Sequence, residues 1–445
     1  MDNQNFESPW APRQRRKPRS KFQKFKEAYL PFIIIAATIL VVLVIIIGSS
    51  IASRPTHNDG TTSGGGGASV EELNQEAQQL IQQATALADN YFYQEALELL
   101  GSFSGDISQF PELKNLFNSY SRITRSMIAW KANEVPCLSF QVLIDDLAAA
   151  LNDPKYSDSY NKKFTTTDEF SKILNQLYEN DYVLVNLENL YGLSEDGTSY
   201  TEQMLLLPSG KKPIMLAETQ CNYYPYMDGA GFASKLCYKD GHFYNEKYNR
   251  DGQLEEGSFD LVPILEDFLA AHPDFSYQNA RAILAFTGWG DGEEGIWGYR
   301  IGTTQERAEA TALAAALKGK GYTLACNSYY RRDYSASSVG SIQDDLKMWE
   351  HIEAILGPVD VLVFAHGSDI GTSYTDNQKF QPLYEAGFRY FLSSGEFLWN
   401  EVSGQYVRHN RLSVNGYNLQ HHPEMFEALF DANTIWDSLR GDIAK

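Results

Sequence analysis

Apolar positions along the chain follow three rhythms. From Leu30 to Ala52 they run almost unbroken, LPFIIIAATILVVLVIIIGSSIA, and no charge occurs between Ala28 and Ser53. A run of that length can cross the ~30 Å hydrocarbon layer as a helix and exceeds the apolar core of about 7 to 15 residues found in secretory leaders. Leu73, Ala77, Leu80, Ile81, Ala84, Leu87 and Ala88 then recur at helical spacing behind a Ser69/Glu72 capping box. Helical patterns continue near YQEALELL and ELKNLFNSYSRITRSMIAW. From Val135 onward, short apolar runs alternate with amphipathic stretches.

Seven of those runs read as strands: VPCLSF (135–140), YVLVN (182–186), PIMLAET (213–219), RAILAF (281–286), YTLACN (322–327), VDVLVFA (359–365) and FRYFLS (388–393). Helices fall between most of them. Thr166 and Glu169 cap one whose apolar face is Phe170, Ile173, Leu174, Leu177 and Tyr178, and others lie near 261–270, 303–318 and 341–355. Strand followed by helix, repeated, predicts a parallel sheet covered on its faces, and seven units approach what a closed α/β barrel needs. Asp240-Gly241 marks a surface hairpin. In such barrels the chemistry sits where strands end. Those ends carry Gln141, Thr219 with Gln220, the stretch Asn327 to Arg331, and His366-Gly367-Ser368-Asp369.

Charge divides the chain. Eight of the 37 Lys/Arg and three of the 57 Asp/Glu precede residue 54, so the rest holds 29 basic and 54 acidic residues, a formal net of −25. The body is too acidic for a nucleic-acid partner. The basic cluster from Arg13 to Lys26 predicts a cytoplasmic N-terminus by the positive-inside rule, which places the acidic body outside the cell behind a single-pass plasma-membrane anchor. The predicted organisation is a basic tail (1–29), a transmembrane anchor (30–52), a Gly/Ser-rich linker (53–69), a helical stalk resembling one tetratricopeptide hairpin (70–131) and a barrel (132–445). Four scattered cysteines without CxxC spacing exclude a disulfide framework and a structural zinc site, and leave Cys221 with Cys237 as the one pairing to check.

Several segments, in order, resemble the NodB-homology polysaccharide deacetylases, in particular their membrane-anchored Gram-positive relatives with a helical stalk. They are VPCLSFQVLIDD, FTTTDEFSKILNQLYENDYVLVNLENLY, ETQCNYYPYM with GFASKL, FDLVPILEDFLAAHPDFSY, FTG with GYR, and GYTLACNS. The resemblance covers roughly residues 132–436 and implies a distorted (β/α)7 barrel. It also implies a divalent metal, usually zinc, held by an aspartate and two histidines one helical turn apart beside a second aspartate acting as general base. Position by position, the base falls on Thr219, the carboxylate ligand on Gln220 and the histidines on Asn327 and Arg331, while an early histidine of the family falls on Gln141. An amide is a poor zinc ligand and a guanidinium repels a cation. The expectation is a degenerate site with no metal and no catalytic residue.

Other constellations offer less. His366, Ser368 and Asp369 share one loop, whereas a triad converges from separate segments. LQH at 419–421 matches a short late motif of the family and puts His421 forward as a pocket residue. FTGWGDGEEGIWGYR has acids where a phosphate cradle needs a lysine, but Trp289, Trp297 and Tyr299, with the tyrosines of NYYPYM and NSYYRRDY, could stack on sugar rings. The expected binding set is Gln141, Arg331, His366, Asp369, Trp289, Trp297 and His421. The reading is a membrane-anchored extracellular pseudoenzyme that binds cell-wall polysaccharide or an envelope protein. The alternatives are an active carbohydrate deacetylase using a relocated site around His366, Asp369 and His421, and an envelope scaffold acting through its stalk.

Overall fold

In the computed structural model, which describes residues 69–290 and 292–444, the ladder of parallel strands returns to its starting strand. The basic tail, the apolar run and most of the linker lie outside the described residues. Among the described residues no helix is long and apolar enough to cross a membrane.

Three helices come first: α1 (Val70–Asp89), capped by the predicted Ser69/Glu72 box, α2 (Tyr93–Gly101) and α3 (Pro111–Arg125). Ala77, Leu80, Ala84, Ala96, Leu100, Leu113 and Tyr120 form a small core among them. They belong to one compact unit with the barrel. Tyr91 joins the two, donating from its hydroxyl to the Asp274 carbonyl at 2.7 Å and lying 5.5 Å from the Tyr277 ring.

The barrel strands are β1 (Cys137–Phe140), β2 (Tyr182–Leu184), β3 (Lys212–Thr219), β4 (Ile283–Phe286), β5 (Thr323–Cys326), β6 (Val361–Val363), β7 (Tyr390–Ser394) and β8 (Val407–Ser413). Seven of them close a parallel ring in the order β1, β3, β4, β5, β6, β7, β8 and back to β1. This corrects the expected membership. β2 pairs β3 only over Lys212–Ile214, while β4 takes the same edge over Ala217–Thr219, so β2 is wedged at the base. The seventh member is β8, which the apolar pattern hides.

Side chains alternate across each strand, one set turned to the helices and the other to the lumen. Leu138, Phe140, Leu216, Leu284, Phe286, Leu324, Leu362, Phe391 and Leu412 pack in the outer core with Phe170, Ile173, Leu174 and Leu177 of α4 (Thr167–Glu179). Cys137, Met215, Ala217, Ile283, Ala285, Ala325, Val361, Val363, Leu392 and Val407 form the second, inner cluster. Continuing that inner parity toward the C-terminal ends of the strands reaches Ser139, Thr219, Asn327, Ser394, Arg411 and Ser413. The lumen is thus apolar at its base and polar at its mouth.

The α4 capping box forms as expected, and its Glu169 is used twice. Arg440, near the C-terminus, donates from Nε and Nη2 to the two Glu169 oxygens at 2.7 Å each, with both side chains fully buried. The predicted hairpin forms between Lys235–Lys239 and His242–Tyr248. All four cysteines are buried and free, and the Cys221 thiol donates to the Glu218 carbonyl at 3.2 Å.

Candidate functional site

A cavity of about 220 Å³ opens at the mouth of the barrel, and Gln141, Thr219, Gln220, Asn327, Arg331 and His366 all line it. Four strand ends or following loops deliver these six residues, Thr219 and Gln220 sharing one and Asn327 and Arg331 another. The Thr219 hydroxyl donates to the Phe140 carbonyl at 3.0 Å and the Asn327 amide to the Val363 carbonyl at 2.8 Å, so each ties its strand to a neighbour. Gln141 donates to the Lys163 carbonyl at 3.2 Å. The Gln220 side-chain oxygen is buried without a partner.

The loop after β5 is held from below. Asp345, fully buried on the helix Val339–Leu356, accepts from the backbone N–H groups of Tyr329 (2.8 Å) and Tyr330 (3.0 Å) and from the Tyr334 hydroxyl (2.7 Å). Ser328 and Arg331 are left-handed, at φ 67° and 53°, as are Gln220 (58°) and His366 (59°) around the same mouth. Such backbone is sparsely populated for non-glycine residues and concentrates at functional sites. Gly367 (φ 78°) passes so close to Ser394 that a Cβ would meet the serine Cβ at 2.5 Å.

Ser139, Ser394, Ser413, Lys163 and Arg411, absent from the expected set, also line the cavity. Arg411 is only 5% exposed. Its Nη1 donates to Ser139 Oγ at 2.9 Å and its Nη2 to the Phe364 carbonyl at 3.1 Å, while Nε has no acceptor. Burial lowers its pKa to about 10, so it stays cationic at neutral pH. The one thiol beside it, Cys137, is pushed up to about 12 by burial and is neutral. Among the described residues neither Arg331 nor Arg411 enters an ion pair. Alternation in VRHNRLS, with Val407, His409, Arg411 and Ser413 on one face, was the available signal for Arg411.

Lys163, Arg331 and Arg411 therefore face a cavity with no carboxylate in its lining. Glu218, beside Thr219, has the opposite parity. It is buried against Asp260, and burial first, then that neighbour, holds its carboxyl well above the usual carboxylate range. His366 is the one imidazole at the mouth, and its Nε2–H donates to the Arg331 carbonyl at 3.1 Å. This donor set does not fit a divalent metal, which needs several carboxylate, imidazole or thiolate ligands. Among the described residues no group of three or more His, Cys, Asp or Glu could hold one.

The remaining expected residues lie elsewhere. Asp369 borders an adjoining cavity of about 580 Å³, which shares His366, Gly367, Ser394 and Ser413 with the first, and there Arg408 donates to it at 2.9 Å and the Tyr374 hydroxyl at 2.8 Å. His421 reaches neither cavity, because its Nε2 lies 2.7 Å from the Ile443 carbonyl. Trp297 is buried, its ring 4.5 Å from Phe286, and Tyr299, Tyr223, Tyr224, Tyr329 and Tyr334 are buried too, since outer-core packing claims them. Trp289, Tyr226 and Tyr330 are each 39% exposed and present aromatic faces to solvent.

No protein-family profile and no curated protein matches the chain. Among solved structures, a Streptococcus pyogenes deacetylase, PplD, in complex with acetate aligns at 12% identity and a TM-score of 0.36 over 66% of this chain and 97% of its own. A polysaccharide deacetylase from Bacillus cereus aligns at 13% identity and a TM-score of 0.34 over 70% of each chain. Similarity at this level assigns neither a family nor an activity.

Proposed function

We propose that the protein is a polysaccharide-deacetylase-like barrel that has exchanged metal-dependent hydrolysis for binding, held outside the cell by its N-terminal apolar segment. One observation carries this reading. The five positions that the resemblance aligns with the general base, the metal ligands and the early histidine, namely Thr219, Gln220, Asn327, Arg331 and Gln141, converge on one cavity lined by cations and neutral polar groups. Hydrolysis through a metal needs ligands for the ion and a base to take a proton from its bound water, and this lining has no carboxylate and a single imidazole, His366, with Thr219 at the position aligned with the base. What the cavity offers is hydrogen-bond donors and fixed positive charge, and outside it Trp289, Tyr226 and Tyr330 are exposed aromatics of the kind that packs on sugar rings. The ligand class is a glycan of the cell envelope.

The experiment is paired. The purified protein is incubated with acetylated glucosamine oligomers, with and without zinc, while its retention on purified cell wall is measured. Retention without acetate release is the expected result. Acetate release that depends on cavity residues overturns the loss of hydrolysis, and failure to bind wall or oligomers overturns the glycan reading.

A further inference from the structure

The cavity contains two unmet demands of opposite sign. Arg411 is buried and cationic, held by the Ser139 hydroxyl, a long 3.5 Å contact to the Ser413 hydroxyl and one carbonyl, with its Nε unpartnered and no ionised acid beside it. A buried guanidinium without a counter-charge is costly, and a planar carboxylate is the acceptor that matches its fork. Arg331 lines the same cavity as a second cation with no ion pair, its guanidinium held below its ordinary range by burial. Gln220 presents the converse, a buried side-chain oxygen that no donor reaches. A simple carboxylate satisfies the first demand only, and a neutral sugar the second only.

We propose that the cavity takes a hydroxylated carboxylate, a sugar acid of the uronate class, with its carboxylate against Arg411 and Arg331 and a ring hydroxyl donating to Gln220. The inference rests on the glycan reading above and names the unit of the glycan that enters the barrel. A body with a net charge of −25 would repel an anionic glycan at long range. Lys163, exposed at the rim, and Arg331 reverse the sign locally, so capture is expected to weaken as salt rises. The 220 Å³ volume suits one monosaccharide unit rather than a buried chain.

Isothermal titration of the full-length protein with glucuronate, an N-acetylglucosamine oligomer and acetate tests this. Glucuronate should bind at least about tenfold more tightly than acetate, the increment of one satisfied buried hydrogen bond. Arg331→Gln, at the partly exposed loop, should lose at least about tenfold in glucuronate affinity with an unchanged melting temperature, and Gln220→Leu should erase the advantage over acetate. Binding of the oligomer without glucuronate overturns the inference and leaves the glycan reading standing. Equal binding of acetate and glucuronate removes the role of Gln220 and overturns it too. Binding of none of the three overturns both.

Discussion

Arg411 donates to Ser139 Oγ at 2.9 Å, and this contact ties the strand that closes the barrel to the strand that opens it. Ser139→Ala removes one of the few acceptors of a buried guanidinium. The expected cost is about 1–3 kcal/mol, read as a lower urea midpoint at unchanged slope. An unchanged midpoint would show that Arg411 finds its acceptors elsewhere.

The Glu169–Arg440 pair anchors the C-terminal segment to the start of α4. Both side chains are fully buried, so removing one partner strands a charge. Arg440→Met alone should cost about 3–5 kcal/mol, and adding Glu169→Gln should recover much of it, because the amide can still serve the Thr166 cap. Additive losses in the double-mutant cycle would contradict the coupling.

His409 points into the lumen below Arg411, with the Tyr191 hydroxyl at 2.7 Å from Nδ1 and the Val135 carbonyl at 3.2 Å from Nε2. Burial lowers its pKa to about 4. Between that value and the unfolded histidine value of about 6.5, the unfolded chain binds more protons than the folded protein. Its stabilising contribution is complete above about 6.5, declines as pH falls to about 4 and changes no further below that, a span on the order of 3 kcal/mol. Urea unfolding from pH 7 to pH 4.5 should show a shallower pH slope in His409→Gln. Coincident slopes would mean that burial does not lower the pKa of this imidazole in the folded protein.

Much of the barrel was legible because ring strands β1 and β3 to β7 are apolar on both faces, and the site was legible because strand ends can be counted from such runs. β8 was not, for a physical reason. Its lumen face carries His409, Arg411 and Ser413, so no apolar run marks it, and the arginine that dominates the cavity was lost with the strand. Trp297 failed in the opposite way. An aromatic in a glycine-rich loop looks exposed, and only the packing against Phe286 shows that the outer core has claimed it.

Asp345 holds the Arg331 loop without reaching the cavity. Asp345→Asn keeps the shape but gives up the charge that gathers two backbone N–H groups and the Tyr334 hydroxyl. A loss of about 1.5–3 kcal/mol is expected, with weaker ligand binding as the loop loosens. Full stability in the variant would mean that the left-handed turn at Ser328 and Arg331 holds itself.

We propose that the fixed cations Arg331 and Arg411 exclude a divalent metal from this mouth. Calorimetric titration of zinc into the full-length protein at pH 7 tests it most directly. The account predicts no saturable binding at the cavity. One equivalent of tightly bound zinc, lost in Asn327→Ala or on mutation of His366, would contradict it.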